Sequence, residues 1–455
     1  MSAKRAVFAL LCSAALSGGC AKPSAHVRAS LDVVQHPPAS FVVDGKPLCF
    51  TGSNNYYAIY KPKPLVDDLF DAARALGLKV MRVWGMLDRG SLDGSVPNVD
   101  GSGQKDGVYF QYWDPTSGRP AYNDGEDGLQ RLDYVLAAAA KHDIKLIVVL
   151  VNNWHEFGGI DQYLTWYGKS RHHEFFTAAE PRQAYKAWLE HVISRKNSVN
   201  GRLYREDPTV FSWELANEPR CNNGGSFDAA SGWDKTTLTG WAGEMSAYVK
   251  SLDPNHLVSV GDEGFLDGGG QHWAYGAKDG VDHAALTALP NVDFGTFHLY
   301  PEAWAAPAGF GEKWILDHLQ VARDLGKPTL LEEYGVKVER TPERLGEVSR
   351  GWAARRDQYR RWNELLLENG GNAALSWMLA GQGENGARYP DYDHFAFYRD
   401  DATGKLLSQY SAAFAQAPAC QAQGPQAAAA SASPFVSVAS PHERVALGWV
   451  PSGGF

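Results

Sequence analysis

The chain has 455 residues, 44% of them hydrophobic and 21% charged, with a formal net charge of -9. Such a composition supports a sizeable core and excludes global disorder. The acidic balance argues against a nucleic-acid partner, which needs a basic face. The N-terminus, "MSAKRAVFALLCSAALSGGCAKPSA", places Lys4 and Arg5 before an apolar run from Ala6 to Leu16. That is the pattern of a secretory signal over residues 1–20, too short for a spanning helix. "LSGGC", ending at Cys20, is like a bacterial lipobox with its Leu one place too far back. A lipid anchor through Cys20 and ordinary cleavage to a soluble secreted protein both fit. The expected location is therefore extracellular, periplasmic or outer-membrane. Residues 21–40 read as a spacer. Beyond the leader, Cys49, Cys221 and Cys420 allow at most one disulfide and leave a free thiol. No Cys/His spacing fits structural zinc.

From residue 41 short β-like runs alternate with helical patterns. The strands are expected at 48–54, 79–85, 144–153, 210–217, 256–261, 293–300, 328–335 and 373–379. Helices are expected at 67–77, 128–143, 182–197, 236–253, 311–326 and 348–371, each apolar at helical period. Alternating strands and helices mean βα units and a parallel sheet. Eight units predict an α/β fold, a (β/α)8 TIM barrel, as a single catalytic domain over 41–415 with insertions near 90–127 and 262–292. An open doubly wound sheet is the alternative, weakened because no Gly-rich dinucleotide fingerprint follows the first strand. The Ala/Ser/Pro/Gly-rich tail, 416–455, is expected to be disordered.

In a barrel the chemistry sits at the C-terminal ends of the strands. The polar residues there are Asn54 and Asn55, Arg82 with Trp84, Asn152 and Asn153 with Trp154, Asn217 with Glu218, His298 with Tyr300, Glu332 with Glu333, and Trp377. Two carboxylates face each other from the fourth and seventh strands. Acetal hydrolysis needs such a pair: one carboxyl protonates the departing oxygen, and the other attacks the anomeric carbon or activates water. Arg82 can hold a carboxylate ionised, His298 and Tyr300 can bond near the pair, Asn217 can hold a sugar hydroxyl, and the tryptophans can stack on rings.

"ELANEPRC" with "LLEEYG" resembles glycoside hydrolase family 5, and more narrowly its endo-β-1,4-mannanases. "GSNNYY", "MRVWG", "LIVVLVNNWHEFGG", "FHLYPEAW" and "LSWML", in this order, extend the resemblance over about 41–415. It implies Glu218 as general acid/base and Glu333 as nucleophile, with retention of anomeric configuration. Arg82, Asn217, His298, Tyr300 and Trp377 match further active-site positions. Asn153 and Trp154 match a sugar-binding segment, and Trp84 joins the substrate-binding set. The implied substrate is a β-mannan, the implied state a monomer, and neither cofactor nor metal is required. Two departures stand out: His155, where acidic residues are common after the Trp, and Glu302, where Asp is expected. A cellulase or other β-glucanase of the same family, a transglycosylase, and a non-catalytic glycan-binding barrel are the alternatives.

Other readings compete at single residues. Strand alternation puts Glu332 and Glu333 on opposite sides, so only one should face the mouth. The resemblance favours Glu333 and leaves Glu332 as a supporting or helix-facing group. Glu214, earlier in its strand, reads as a buried structural carboxyl. Since Glu218 must carry a proton at the start, its pKa should be raised by ionised Glu333. "HEFGG" (155–159) fails as a zinc HExxH motif because residue 159 is Gly. "RHHEFF" (171–176) reads as a rim loop. "GQKDGVYFQYWD" reads as a lid over sugar or as a packing plug.

Overall fold

Eight apolar runs form one all-parallel sheet: β1 (Phe50–Asn55), β2 (Val80–Trp84), β3 (Lys145–Val149), β4 (Val210–Glu214), β5 (Leu257–Ser259), β6 (Gly295–Leu299), β7 (Thr329–Tyr334) and β8 (Ala373–Ser376). The computed structural model describes residues 39–43, 46–100, 105–268, 270–339, 351–421 and 435–439. The leader, Cys20, the spacer up to 38 and the tail stretches 422–434 and 440–455 lie outside them. The strand order is β5-β4-β3-β2-β1-β8-β7-β6. Between β5 and β6, Asp293 N–H donates to Val258 O (2.9 Å) and His298 N–H to Glu263 O (3.1 Å), so the ring is nearly closed, a (β/α)8 barrel. Strands such as β2 and β4 are buried along their whole length, as parallel strands covered on both faces must be.

The outer ring is built from α1 (Lys63–Ala75), α2 (Gln130–Lys141), α3 (Ala179–Ile193), α4 (Lys235–Leu252), α5 (His283–Thr287), α6 (Phe310–Leu325), α7 (Trp352–Glu368) and α8 (Ala402–Ala415). Local chemistry sets their ends. Asp234 and Thr237 form a capping box at the start of α4, and Gly326 closes α6 in the left-handed region. The insertion after β2 folds as a small sheet of Asp88–Ser91, Gln111–Asp114 and Arg119–Tyr122. Within it, buried Gln111 donates to Asp88 (2.6 Å), and it ties the sheet to Tyr163 (2.9 Å). Its Phe110 is fully buried, so this stretch is a packing plug. Among its described residues, only Lys105 reaches the mouth of the barrel.

The floor of the barrel departs from the expected tail. A hairpin of Ser40–Val43 and Lys46–Leu48 lies across it, and Val436–Ala439 adds to the hairpin antiparallel. Phe41 drops into the floor, with ring centroids 5.6 Å from Phe50, 5.2 Å from Phe211 and 5.2 Å from Phe294. Cys49 and Cys420 form a disulfide, leaving Cys221 as a buried free thiol. Thus residues 416–421 and 435–439 are structured, against the expectation for the tail. The apolar alternation of "FVSVA" supplies one buried edge, an ordering signal that an average over a biased segment conceals.

Candidate active site

β4 runs on past Glu214 into Leu215, Ala216, Asn217 and Glu218. Asn217 N–H donates to Val151 O (2.8 Å) and Glu218 N–H to Gly261 O (2.9 Å), so neighbouring strand ends hold this edge in place. Glu218 sits at φ 51°, a left-handed conformation uncommon outside glycine and characteristic of functional positions. Gly261 makes room for the end of β4 that precedes it: a Cβ there would lie 2.0 Å from Ala216 O and 2.5 Å from Glu214 Oε1.

β7 brings in the second carboxylate. Its register against β6 slips between Phe297↔Leu331 and His298↔Glu333. That irregularity breaks strict alternation, so Glu332 and Glu333 both reach the barrel interior, one below the other, and Glu332 does not face the helices. Glu333 Oε1 accepts from Arg82 Nη1 (2.6 Å) and Oε2 from Tyr300 OH (2.8 Å). Glu218 Oε1 lies 2.7 Å from His298 Nδ1, and Oε2 accepts from Trp154 Nε1 (2.6 Å). One ligating atom each of Glu218, His298 and Glu333 falls within 4.8 Å of the others. These atoms could hold a cation, but each carboxylate oxygen is already faced by a donor of the protein. The set is built as a hydrogen-bonded pair of acids.

Arg82 organises the layer beneath. Its Nη2 donates to Glu214 Oε1 (2.6 Å) and Asn217 Oδ1 (2.8 Å), and its Nε lies 3.5 Å from Glu332. Burial and the neighbouring Glu332 carboxylate hold Glu214 well above the usual carboxylate range, although Arg82 opposes the shift. Burial also raises Glu333, against the pull of His298 and Arg82. His298 moves the other way: burial would lower it, but Glu333, Glu218 and Glu332 raise it well above the usual imidazole value. Glu218 overturns the expected direction. Burial alone would raise it, yet His298, Arg220 and the Trp154 N–H together bring it down to about 2. A strong donor in contact outweighs a like charge further off.

The pair opens into a cleft of about 850 Å³. Trp84, Trp154, Asn217, Tyr300 and Trp377 line it with Glu218 and Glu333. Arg82 and His298 are fully buried and hold carboxylates. Asn153 does not line this cleft: its Oδ1 accepts from the Arg220 backbone N–H (3.0 Å) and lies 3.0 Å from His172 Nε2. Its neighbour Asn152 lines the cleft and accepts from Asn217 Nδ2 (2.9 Å). His172 and His173 of "RHHEFF" are buried beneath this segment, so they do not form a rim loop. A larger groove of about 1140 Å³ lies on the flank between Arg119–Tyr122 and α3, away from the carboxylates.

Tyr56, Lys105, Phe157 and Trp304, which lie inside quoted segments but were not singled out as site residues, also line the cleft, as do Trp273 and Asp393, which no quoted segment contains. Glu263 was also missed. It accepts from Arg220 Nε (2.6 Å) and Nη2 (2.8 Å), and "GDEG" after β5 was the available signal. Arg220 in turn stacks its guanidinium 5.2 Å from the Trp154 ring.

Against known proteins, a family model described as GH family 5 beta-mannosidase-like matches residues 31–369. The chain belongs to this family. Within family 5 it is 37% identical, over 79% of its length and 69% of the relative's, to the probable mannan endo-1,4-beta-mannosidase F of Aspergillus oryzae. It is 38% identical to the probable mannan endo-1,4-beta-mannosidase A of Aspergillus flavus, over 80% of this chain and 83% of that one. The solved endo-1,4-beta-mannanase of Rhizomucor miehei superposes with a TM-score of 0.73 at 36% identity, covering 83% of this chain and 98% of the other. That of Thermotoga petrophila gives 0.69 at 39% identity, over 82% and 78%. The family 5 model ends before β8, so the placement of Trp377 comes from the structure.

Proposed function

We propose that this chain is a retaining, endo-acting hydrolase of β-1,4-mannosidic bonds in mannan, glucomannan or galactomannan. The observation that carries the mechanism is that one carboxylate oxygen of Glu218 and one of Glu333 lie within 4.8 Å of each other. That is the close spacing of retaining enzymes, where inverting ones leave about 6.5–9.5 Å for a water. Glu333, its charge held by Arg82 and Tyr300, attacks the anomeric carbon. Glu218 protonates the departing oxygen, and the glycosyl-enzyme is then hydrolysed by water activated at Glu218. The named relatives support mannan as the substrate. Endo action is supported by the placement of the rings. A line from β4 to β7 leaves Trp154, Trp84, Tyr56 and Trp377 on one flank of the mouth, and Trp273 and Trp304 on the other. Sugar units can therefore be stacked on both sides of the scissile bond.

The reading includes export to the cell envelope or beyond, supported by the leader sequence, and a monomer as the working unit. The test is hydrolysis of β-mannan and of soluble cellulose by the mature protein beside Glu218→Gln. Oligosaccharides from mannan, lost in the variant, are the expected result. Cellulose cleavage alone would keep the mechanism and overturn the substrate. Activity on neither would overturn both.

A further inference from the structure

Glu332 takes no part in the steps above, yet it is fully buried beneath them. The slip in β7 turns it inward, where Oε2 lies 3.3 Å from His298 Nε2 and 3.5 Å from Arg82 Nε. His298 is thus set between two carboxylates, with Glu218 2.7 Å from Nδ1 and Glu332 3.3 Å from Nε2. A neutral imidazole has one N–H and can serve only one of them. The protonated ring serves both. The residue is fully buried, and the backbone that carries the ring is held on both sides. Its backbone carbonyl accepts from Trp314 Nε1 (2.9 Å) of α6, and its backbone N–H donates to Glu263 O. The other charges around it are Glu333 of β7, 3.6 Å from Nδ1, Glu263 from the loop after β5, and Arg82 of β2, in contact with both Glu332 and Glu333.

A general acid must enter the reaction protonated, yet in this arrangement the donors around Glu218 favour its carboxylate. We propose that Glu332 is a positioning residue that keeps the catalytic proton on His298 in the free enzyme, ready for transfer to Glu218 when substrate fills the cleft. This rests on the reading of Glu218 as the acid. On transfer the Nδ1–H bond breaks and its electron pair stays on the imidazole. The proton joins Glu218 Oε1, and the Nε2–H remains on Glu332, which thereby sets the tautomer left behind. The acid gives its proton to the departing sugar oxygen. Water then returns one to Glu218 as its hydroxyl reaches the anomeric carbon, and on product release the proton goes back to His298. Over the cycle the His298–Glu218 pair gains and loses no net proton.

The test is the pH profile of kcat/KM on a mannan oligosaccharide for wild type, Glu332→Gln and Glu332→Asp. The wild type must first be active and Glu218→Gln inactive, which separates failure of the functional reading from failure here. Removing the charge beside Nε2 makes the shared proton easier to lose. The basic limb of Glu332→Gln should move to lower pH by about one unit or more, with partial return in Glu332→Asp. On an aryl mannobioside whose leaving group needs no protonation, kcat/KM should change far less than on the oligosaccharide. Superimposed basic limbs, or equal losses on the two substrates, would overturn the proposal. Wild-type protein offers a test that needs no folded variant: at neutral pH, nitrogen NMR of the His298 ring should show both nitrogens protonated, and a neutral ring would overturn it.

Discussion

The two ends of this barrel are made by the same strands and obey opposite rules. At the floor, β1 and β4 contribute Phe50 and Phe211, which close with Phe41 and Phe294 into an apolar cluster. A few residues further along, the same strands end in Asn54 and Asn55, and in Glu214, Asn217 and Glu218, all buried or nearly so. The floor is held by area removed from water, a non-directional force that tolerates small shifts. The mouth is held by charge-assisted hydrogen bonds, such as Arg82 to Glu333 at 2.6 Å, which tolerate few. Packing energy spent at one end lets the other keep a crowd of acids that would otherwise repel.

Substitutions should separate the two ends, and the largest effect belongs to the mouth. Glu333→Gln is expected to lower kcat/KM on β-mannan by about 10⁴-fold or more, while the melting temperature stays within a few degrees. A near-normal rate would remove Glu333 from the mechanism. Glu218→Gln should cost about 10²–10⁴-fold on mannan, with much of the first step retained on an activated aryl glycoside. A floor variant reverses the pattern. Phe41→Ala should destabilise by about 3–5 kcal/mol in denaturant titration, with kcat per folded molecule unchanged. A parallel fall in kcat would show that floor and mouth are coupled. Replacing Cys49 and Cys420 by Ala should cost about 2–4 kcal/mol, also without a change in kcat.

The pH dependence of stability sharpens the contrast. Glu218 has its pKa lowered from 4.5 to about 2 on folding. Its contribution is therefore present above pH 4.5 and lost as pH falls through 2. Melting temperatures of Glu218→Gln should fall less steeply than those of wild type across that window. The smallest effect is at the rim. His155 is exposed and beside Glu156, so His155→Asp should shift KM for a long oligosaccharide by no more than about fivefold, the scale of an exposed charge.

Most of the barrel was legible because parallel strands buried on both faces are apolar runs, and helices between them carry an apolar stripe. "IKLIVVLVNN" and "VFSWELAN" could be placed within a few residues on that basis. Glu218 and the pair Glu332–Glu333 were legible as mouth residues because carboxyls just past such a run must sit there, and the choice of Glu333 over Glu332 came from the resemblance to family 5. What escaped was whatever depends on an irregularity or a distant partner. Alternation misplaced Glu332 because a register slip between two strands leaves no mark in either sequence alone. Asn153 and Asn152 differ only in which way the chain turns after β3. Trp273, Trp304 and Asp393 come from long loops whose positions only packing determines, and α8, with its Gly404 and mixed surface, lacked a clear stripe.

The floor has one more consequence. Ser40 and Ala439 are paired neighbours in the same three-stranded sheet, on the side of the barrel away from the cleft. A join from Ala439 back to Ser40 would be short, which makes the described residues a natural subject for circular permutation. A linker to a solid support, attached at this three-stranded sheet, would leave the cleft pointing outward at a polymer too large to diffuse around it.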